Sequence, residues 1–211
     1  MKKIALFGGT GKTGSLFLKL AVEAGYELKV LVRNPTKIQL NHPQIQYLNG
    51  DIAHYEAVHQ VIAGCDLVVS LFGQVKGSPP RIQTLGTQHV IRAMKVEGIS
   101  RIISLSGGGL PYPEFDQPKW TDRAIRTIMK IVVPEILNDA HLHAEALQES
   151  GLDWTIVRGP RLTQEAGRGQ YRIGWVGVNS GTKISRHDLA HFILQVVRDH
   201  SFSHQMPFVS W

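Results

Sequence analysis

Cysteine is almost absent. Cys65 stands alone among 211 residues, so no internal disulfide can form and the core must hold the fold. A chain of this length buries enough apolar surface to do that. Cys65 precedes the apolar run Leu67-Val68-Val69 and is expected at the rim of the core, packing as a small residue. Long hydrophobic runs are missing too: nothing approaches the roughly 20 apolar residues of a membrane helix. After Met1-Lys2-Lys3 the apolar stretch Ile4–Phe7 runs straight into glycines with no cleavage site, so it is read as a strand and not as a leader. Charge of one sign is not concentrated. The 23 Lys and Arg against 17 Asp and Glu leave a formal +6, but the basic residues are scattered without interleaved aromatics. Nucleic acid is therefore not the expected partner, and with no run long enough to span a bilayer no membrane is expected either. Hydrophobic residues at 43% and charged residues at 19% describe an ordinary globular chain, and the lack of disulfides fits cytoplasmic residence.

What is present is an alternation of strand-like and helix-like segments. Strands are expected at Lys3–Phe7, Glu27–Val32, Ile45–Leu48, Asp66–Leu71, Arg101–Leu105, Trp154–Val157 and Met206–Val209. Helices are expected at Gly14–Ala24, Asp51–Ala63, Pro80–Glu97, Trp120–Ser150 and His187–Arg198. In the first helix Phe17, Leu20, Ala21 and Ala24 share one face, and Gly25 stops it. Pro134 is expected to break or kink the long one. Short strands that are apolar throughout, alternating with helices, predict an α/β fold: one Rossmann-type domain over 1–211 with a doubly wound parallel sheet. Two loops rich in Gly, at about 107–118 and 159–182, follow strand ends and are expected to shape a substrate pocket.

The chemistry begins at Gly8-Gly9-Thr10-Gly11-Lys12-Thr13-Gly14. Two glycine patterns overlap there, Gly9-Gly11-Gly14 and Gly8-Gly11-Gly14. Both suit a tight turn between a strand and a helix, where backbone approaches a pyrophosphate and the free N–H groups of the helix receive it. A nucleotide P-loop ending Gly11-Lys12-Thr13 would need glycine where Leu6 stands. Nineteen positions past Gly14, at the end of the second strand, comes Arg33. An acid there would bind the ribose 2′-hydroxyl of NAD; an arginine pairs instead with a 2′-phosphate, favouring NADP, with Thr10 and Lys12 as helpers. Asp51, beside Ile52, is placed to accept from the adenine amino group or to cap the next helix. Leu71-Phe72-Gly73 is expected beside the cofactor.

These residues, with Gly50-Asp51, Ile103–Gly107, Gly151–Pro160 and Ser185–Phe192, resemble the atypical short-chain dehydrogenase/reductases. Nearest among them is the NAD(P)H-binding group related to biliverdin reductase B, or flavin reductase. The resemblance implies NADPH as cofactor and reduction of a flavin or another small conjugated acceptor. It implies Ser104 and Pro160 on the cofactor side, and Ser106 and Arg161 as the candidate catalytic residues facing the substrate. The Tyr-x-x-x-Lys pair of classical members is missing: Tyr112 is followed four positions on by Asp116, and Tyr171 by Trp175. That absence motivates a second reading, a non-catalytic NADP-binding redox sensor like the NmrA-like regulators. His187 and His191 share a helix face, but no third ligand accompanies them and Ser185 with Asp188 reads as a helix cap, so no metal site is expected. His141 and His143 are expected at the surface or against a loop. The partner is a small-molecule substrate, and the chain is expected as monomer or homodimer.

Overall fold

The computed structural model describes residues 2–74 and 77–211; Met1, of the leader reading, lies outside them with Val75 and Lys76. Ten strands form: β1 (Lys3–Phe7), β2 (Glu27–Val32), β3 (Ile45–Asn49), β4 (Leu67–Ser70), β5 (Arg101–Gly107), β6 (Asp153–Gly159), β7 (Arg161–Thr163), β8 (Arg172–Gly174), β9 (Lys183–Ser185) and β10 (Phe208–Ser210). Eight of them make one sheet in the order β3-β2-β1-β4-β5-β6-β10-β8, while β7 and β9 pair separately. Neighbours are parallel throughout, except that β8 runs antiparallel to β10 at the edge. The strand order reverses between β1 and β4, which opens a crevice at the carboxyl ends of the strands.

Both faces of the sheet are covered, and the strands are apolar on both sides for that reason. In β1, Ile4 and Leu6 point to one face and meet Phe17, Phe192 and Leu189 from α1 (Gly14–Glu23) and α6 (Arg186–Asp199). Ala5 and Phe7 point to the other and meet Val58, Val90 and Leu147 from α2 (Tyr55–Ile62), α3 (Ile82–Glu97) and α5 (Pro134–Gln148). Both clusters belong to an α/β sheet of Rossmann type, as its sequence pattern predicts. Cys65 is buried in the second cluster, and burial pushes its thiol up to about 11, which keeps it protonated and unreactive. No described helix is long and apolar enough to cross a membrane.

Local chemistry moves several boundaries. The second helix starts at Tyr55, not at Asp51, because the Asp51 carboxylate takes the Ala53 amide at 2.9 Å and holds a turn. The expected long helix is two: α4 (Trp120–Val132) ends before Pro134, which becomes the first residue of α5. Helix α4 has no buried residue. The 159–182 stretch is not a bare loop, since it contains β7 and β8. His143 is completely buried, against the expectation of a surface position. It sits on the inner face of α5, where burial pulls its imidazole down to about 4.

Candidate active site

The glycine loop leaves β1 by a turn that no other residue fits. Gly8 has φ +80, and a Cβ on it would lie 2.6 Å from the Leu71 carbonyl carbon and the Phe72 nitrogen. The exit of β4 therefore passes directly against the loop. A Cβ on Gly14 would run into the Gly8 carbonyl, so the first turn of α1 is pressed onto the strand end. Gly11 donates its amide to the Gly8 carbonyl at 3.0 Å. Of the two overlapping patterns, Gly8-Gly11-Gly14 makes the turn; Gly9 is small because Val30 and Leu6 pack on it. Thr13 precedes α1 without a side-chain cap, and no acid stands in the first turn. Ser15 gives its amide to the Gly11 carbonyl at 2.9 Å, but no side-chain cap and no first-turn acid compete with an anion at this helix start.

Above this loop lies a cavity of about 240 Å³, lined by Gly8, Thr10, Gly11, Arg33, Asp51, Ile52, Leu71, Phe72 and Gly73 among others. Nine expected residues from four loops thus meet in one place. Arg33 stands at its far end, exposed, 3.9 Å from the Asp51 carboxylate. Lys12 does not line this cavity. It borders an outer groove of about 680 Å³ with Thr10, Gly11, Arg186 and His187, on the α1–α6 side of the loop.

The cleft continues. Leu71, Phe72 and Gly73 also line a middle cavity of about 240 Å³, which reaches Ser106, Leu105, Pro160 and Leu162. Gly107, Gly109, Gly159, Pro160 and Met129 are shared in turn with an end cavity of about 370 Å³ that holds Arg126, Arg161, Val176 and Phe208. The three form one trough from Arg33 to Arg161. Ser106 is buried in its middle, and its Oγ has no hydrogen-bond partner among the described residues. Ser104, two residues back on the same face of β5, is not brought to the trough. Its Oγ bonds His143 Nε2 at 3.2 Å, while Thr87 Oγ1 meets His143 Nδ1 at 2.9 Å. These three make a closed polar network beneath the floor, with the imidazole neutral.

Behind the lining of the end cavity lies an ion pair that no sequence pattern announces. Arg158, on β6, is completely buried. It makes two 2.8 Å bonds to the Asp116 carboxylate and donates to the carbonyls of Leu110 and Met206 at 2.9 Å. Asp116 also accepts from the amides of Tyr112 and Val176. Burial would raise the Asp116 carboxyl, but the bonds and charge of Arg158, with the two amides, outweigh it and hold the carboxyl below the usual carboxylate range. This pair fastens the 107–118 loop, β6 and the segment at Val176 together. Neither tyrosine is free for the trough: Tyr112 Oη donates to the His204 carbonyl at 3.3 Å and Tyr171 Oη to Gln195 at 3.1 Å. Ser185 caps α6, accepting the Asp188 amide at 3.0 Å. The Asp188 carboxylate takes Trp211 Nε1 and the amides of Arg168 and Gly169.

Comparison with known proteins fits this geometry. A Schizosaccharomyces pombe protein of the UPF0659 group is 28% identical, with 97% of this chain and 87% of that protein covered. A short-chain dehydrogenase/reductase from Veillonella parvula, solved in complex with NADP, superposes with a TM-score of 0.78 at 16% identity, covering 100% of this chain and 94% of that one. An anaerobillin reductase from Escherichia coli O157:H7 superposes with a TM-score of 0.77 at 20% identity, covering 100% and 97%. Residues 8–200 match the family model described as NAD(P)H-binding, and a match over that span, on a sheet with this order and this glycine loop, means that the chain belongs to the NAD(P)H-binding family.

Proposed function

We propose that the chain is an NADPH-dependent oxidoreductase that passes a hydride to a small conjugated acceptor such as a flavin. The continuity of the trough carries this reading: a nucleotide-sized cleft over the glycine loop opens into a second, largely apolar space beyond Ser106. A nicotinamide, when bound, supplies the hydride. The chain's own residues bind and orient. The loop amides and the start of α1 receive the pyrophosphate, Arg33 pairs with a 2′-phosphate, and Asp51 accepts from the adenine amino group. Ser106 Oγ, buried without a partner among the described residues, offers a hydrogen bond to the carboxamide or the acceptor. Arg161 meets an anionic acceptor from the far side. The acceptor gains the hydride and takes its proton from water, so no tyrosine acid is needed. That suits a flavin better than a carbonyl, and the similarity in fold to an anaerobillin reductase points the same way.

The occupied hydroxyls of Tyr112 and Tyr171 also favour a second reading, an NADP-binding redox sensor that does not turn over. Titration with NADPH and NADH, followed by NADPH oxidation with FMN, riboflavin and a quinone, separates the two. The reductase shows tight NADPH binding and saturable oxidation; binding with no oxidation of any acceptor transfers the case to the sensor. Arg33→Asp is expected to weaken NADPH by about tenfold or more while improving NADH, since a charge-assisted bidentate contact is replaced by a repelling acid. Unchanged selectivity would remove Arg33 from the cofactor site.

A further inference from the structure

We propose that, against the expectation of no membrane partner, which concerned spanning segments only, α4 docks the protein onto an anionic lipid surface, laying its apolar side among the acyl chains and its basic side against the headgroups. Of the eight large hydrophobics exposed among the described residues, five lie on this helix: Trp120 (80%), Ile125 (52%), Ile128 (60%), Ile131 (77%) and Val132 (70%). At about 3.6 residues per turn they share one half of the helix with Ala124. Arg123, Arg126 and Lys130 take the other half. A contiguous apolar strip of this kind on a soluble domain marks a contact surface.

Charge decides which contact. The only acid on α4 is Asp122, and its carboxylate is already spent on the Lys119 amide at 2.9 Å. Arg126 turns inward to 4.0 Å from Asp116, which leaves Lys119, Arg123 and Lys130 facing out. A second copy of the chain would bring the same basic flank and another +6, so self-pairing sets like charges together. An anionic headgroup layer complements both sides of the helix at once. Apolar and basic faces of similar size, low overall apolarity and an indole at one end are the features of a helix that lies in an interface. Thirteen residues span about 20 Å, enough to lie flat and too few to cross. Helix α4 is also free to present this face. Its inward packing includes Met129 against Gly109, and Val133 breaks it from α5. Ile125 and Met129 line the end cavity, so the docked orientation holds that opening at the lipid. The docking itself does not depend on what the trough reduces.

The test uses the full chain and vesicles of phosphatidylcholine, alone or mixed with phosphatidylglycerol. The chain is expected to sediment with the mixed vesicles at low salt, at least tenfold more weakly with phosphatidylcholine alone, and less as salt approaches about 1 M, where the Debye length is about 3 Å. Arg123→Gln with Lys130→Gln is expected to lower anionic binding about fivefold for each charge removed. Ile128→Asp with Ile131→Asp is expected to abolish it while NADPH titration and circular dichroism stay as in the parent. Quenching by brominated lipid is expected to disappear in Trp120→Phe. No sedimentation at low salt overturns the proposal, and so does undiminished binding by the double aspartate variant. A dimer that the same variant dissociates also overturns it, and assigns the face to a second copy.

Discussion

The two ends of the trough are held by different physics. The Arg33 end is built from backbone: glycines that let three chain segments approach within contact distance, and a solvent-exposed arginine at the rim. The Arg161 end is built from buried side-chain polarity. Arg158 and Asp116 tie its loops, and His143 with Thr87 and Ser104 underlies its floor. Substitution at the first end should therefore be read in cofactor binding, and at the second in folding stability.

The largest expected effect is at Arg158. Arg158→Met strands a buried carboxylate and should destabilise the protein by about 3–5 kcal/mol, seen as a lower urea midpoint. Arg158→Met combined with Asp116→Leu should recover much of the loss, because the unpaired charge is what costs most. Arg33→Asp at the other end should leave the same midpoint unchanged. Equal midpoints for the Arg158 and Arg33 variants would erase the contrast.

His143 gives the next effect. Its folded value, about 4 against 6.5 unperturbed, means that the unfolded chain takes up the proton first as pH falls. The stabilisation is complete above about pH 6.5, declines through the interval down to about pH 4, and is flat below it, a total of about 3 kcal/mol. Chemical denaturation across that interval checks the slope, and His143→Gln should flatten it.

Ser106→Ala is expected to have a small effect on stability, within about 0.5 kcal/mol of the parent, because the hydroxyl has no hydrogen-bond partner among the described residues to lose. It should nonetheless lower turnover or raise the acceptor KM. A variant equal to the parent in both respects leaves Ser106 with no part in the reaction.

The same division explains what could be read from sequence. Gly8–Gly14 announces itself because its requirements are local: a strand, a turn, a helix and spacing within seven residues. Arg33, Asp51 and Leu71–Gly73 follow from strand order, since parallel strands deliver their carboxyl ends to one edge. The Arg158–Asp116 pair joins residues 42 positions apart and carries no periodic signal. Asp116 entered the sequence only as the residue that should have been lysine. Ser104 and Ser106 look alike on β5, yet one meets His143 and the other the trough, and which is which depends on where α5 places an imidazole. The burial of His143 is hidden for a similar reason: two histidines two apart on a helix must face differently, but spacing alone does not say which face is inward. The amphipathic character of α4 is written in its residues, but that its apolar side stays exposed is visible only once the body has formed without it.

Because Asp116 is bonded at once to Tyr112, to Arg158 and to Val176, the 107–118 loop, β6 and the segment at Val176 form one transplantable unit. Redesigning this enzyme for another acceptor by exchanging the 107–118 loop alone would import a segment whose anchor stays behind in β6. Grafts should carry positions 107–118, Arg158 and the segment around Val176 as a set, and free variation is best begun outside that set, at a position that touches the cavity without touching the carboxylate, Arg161 first of all.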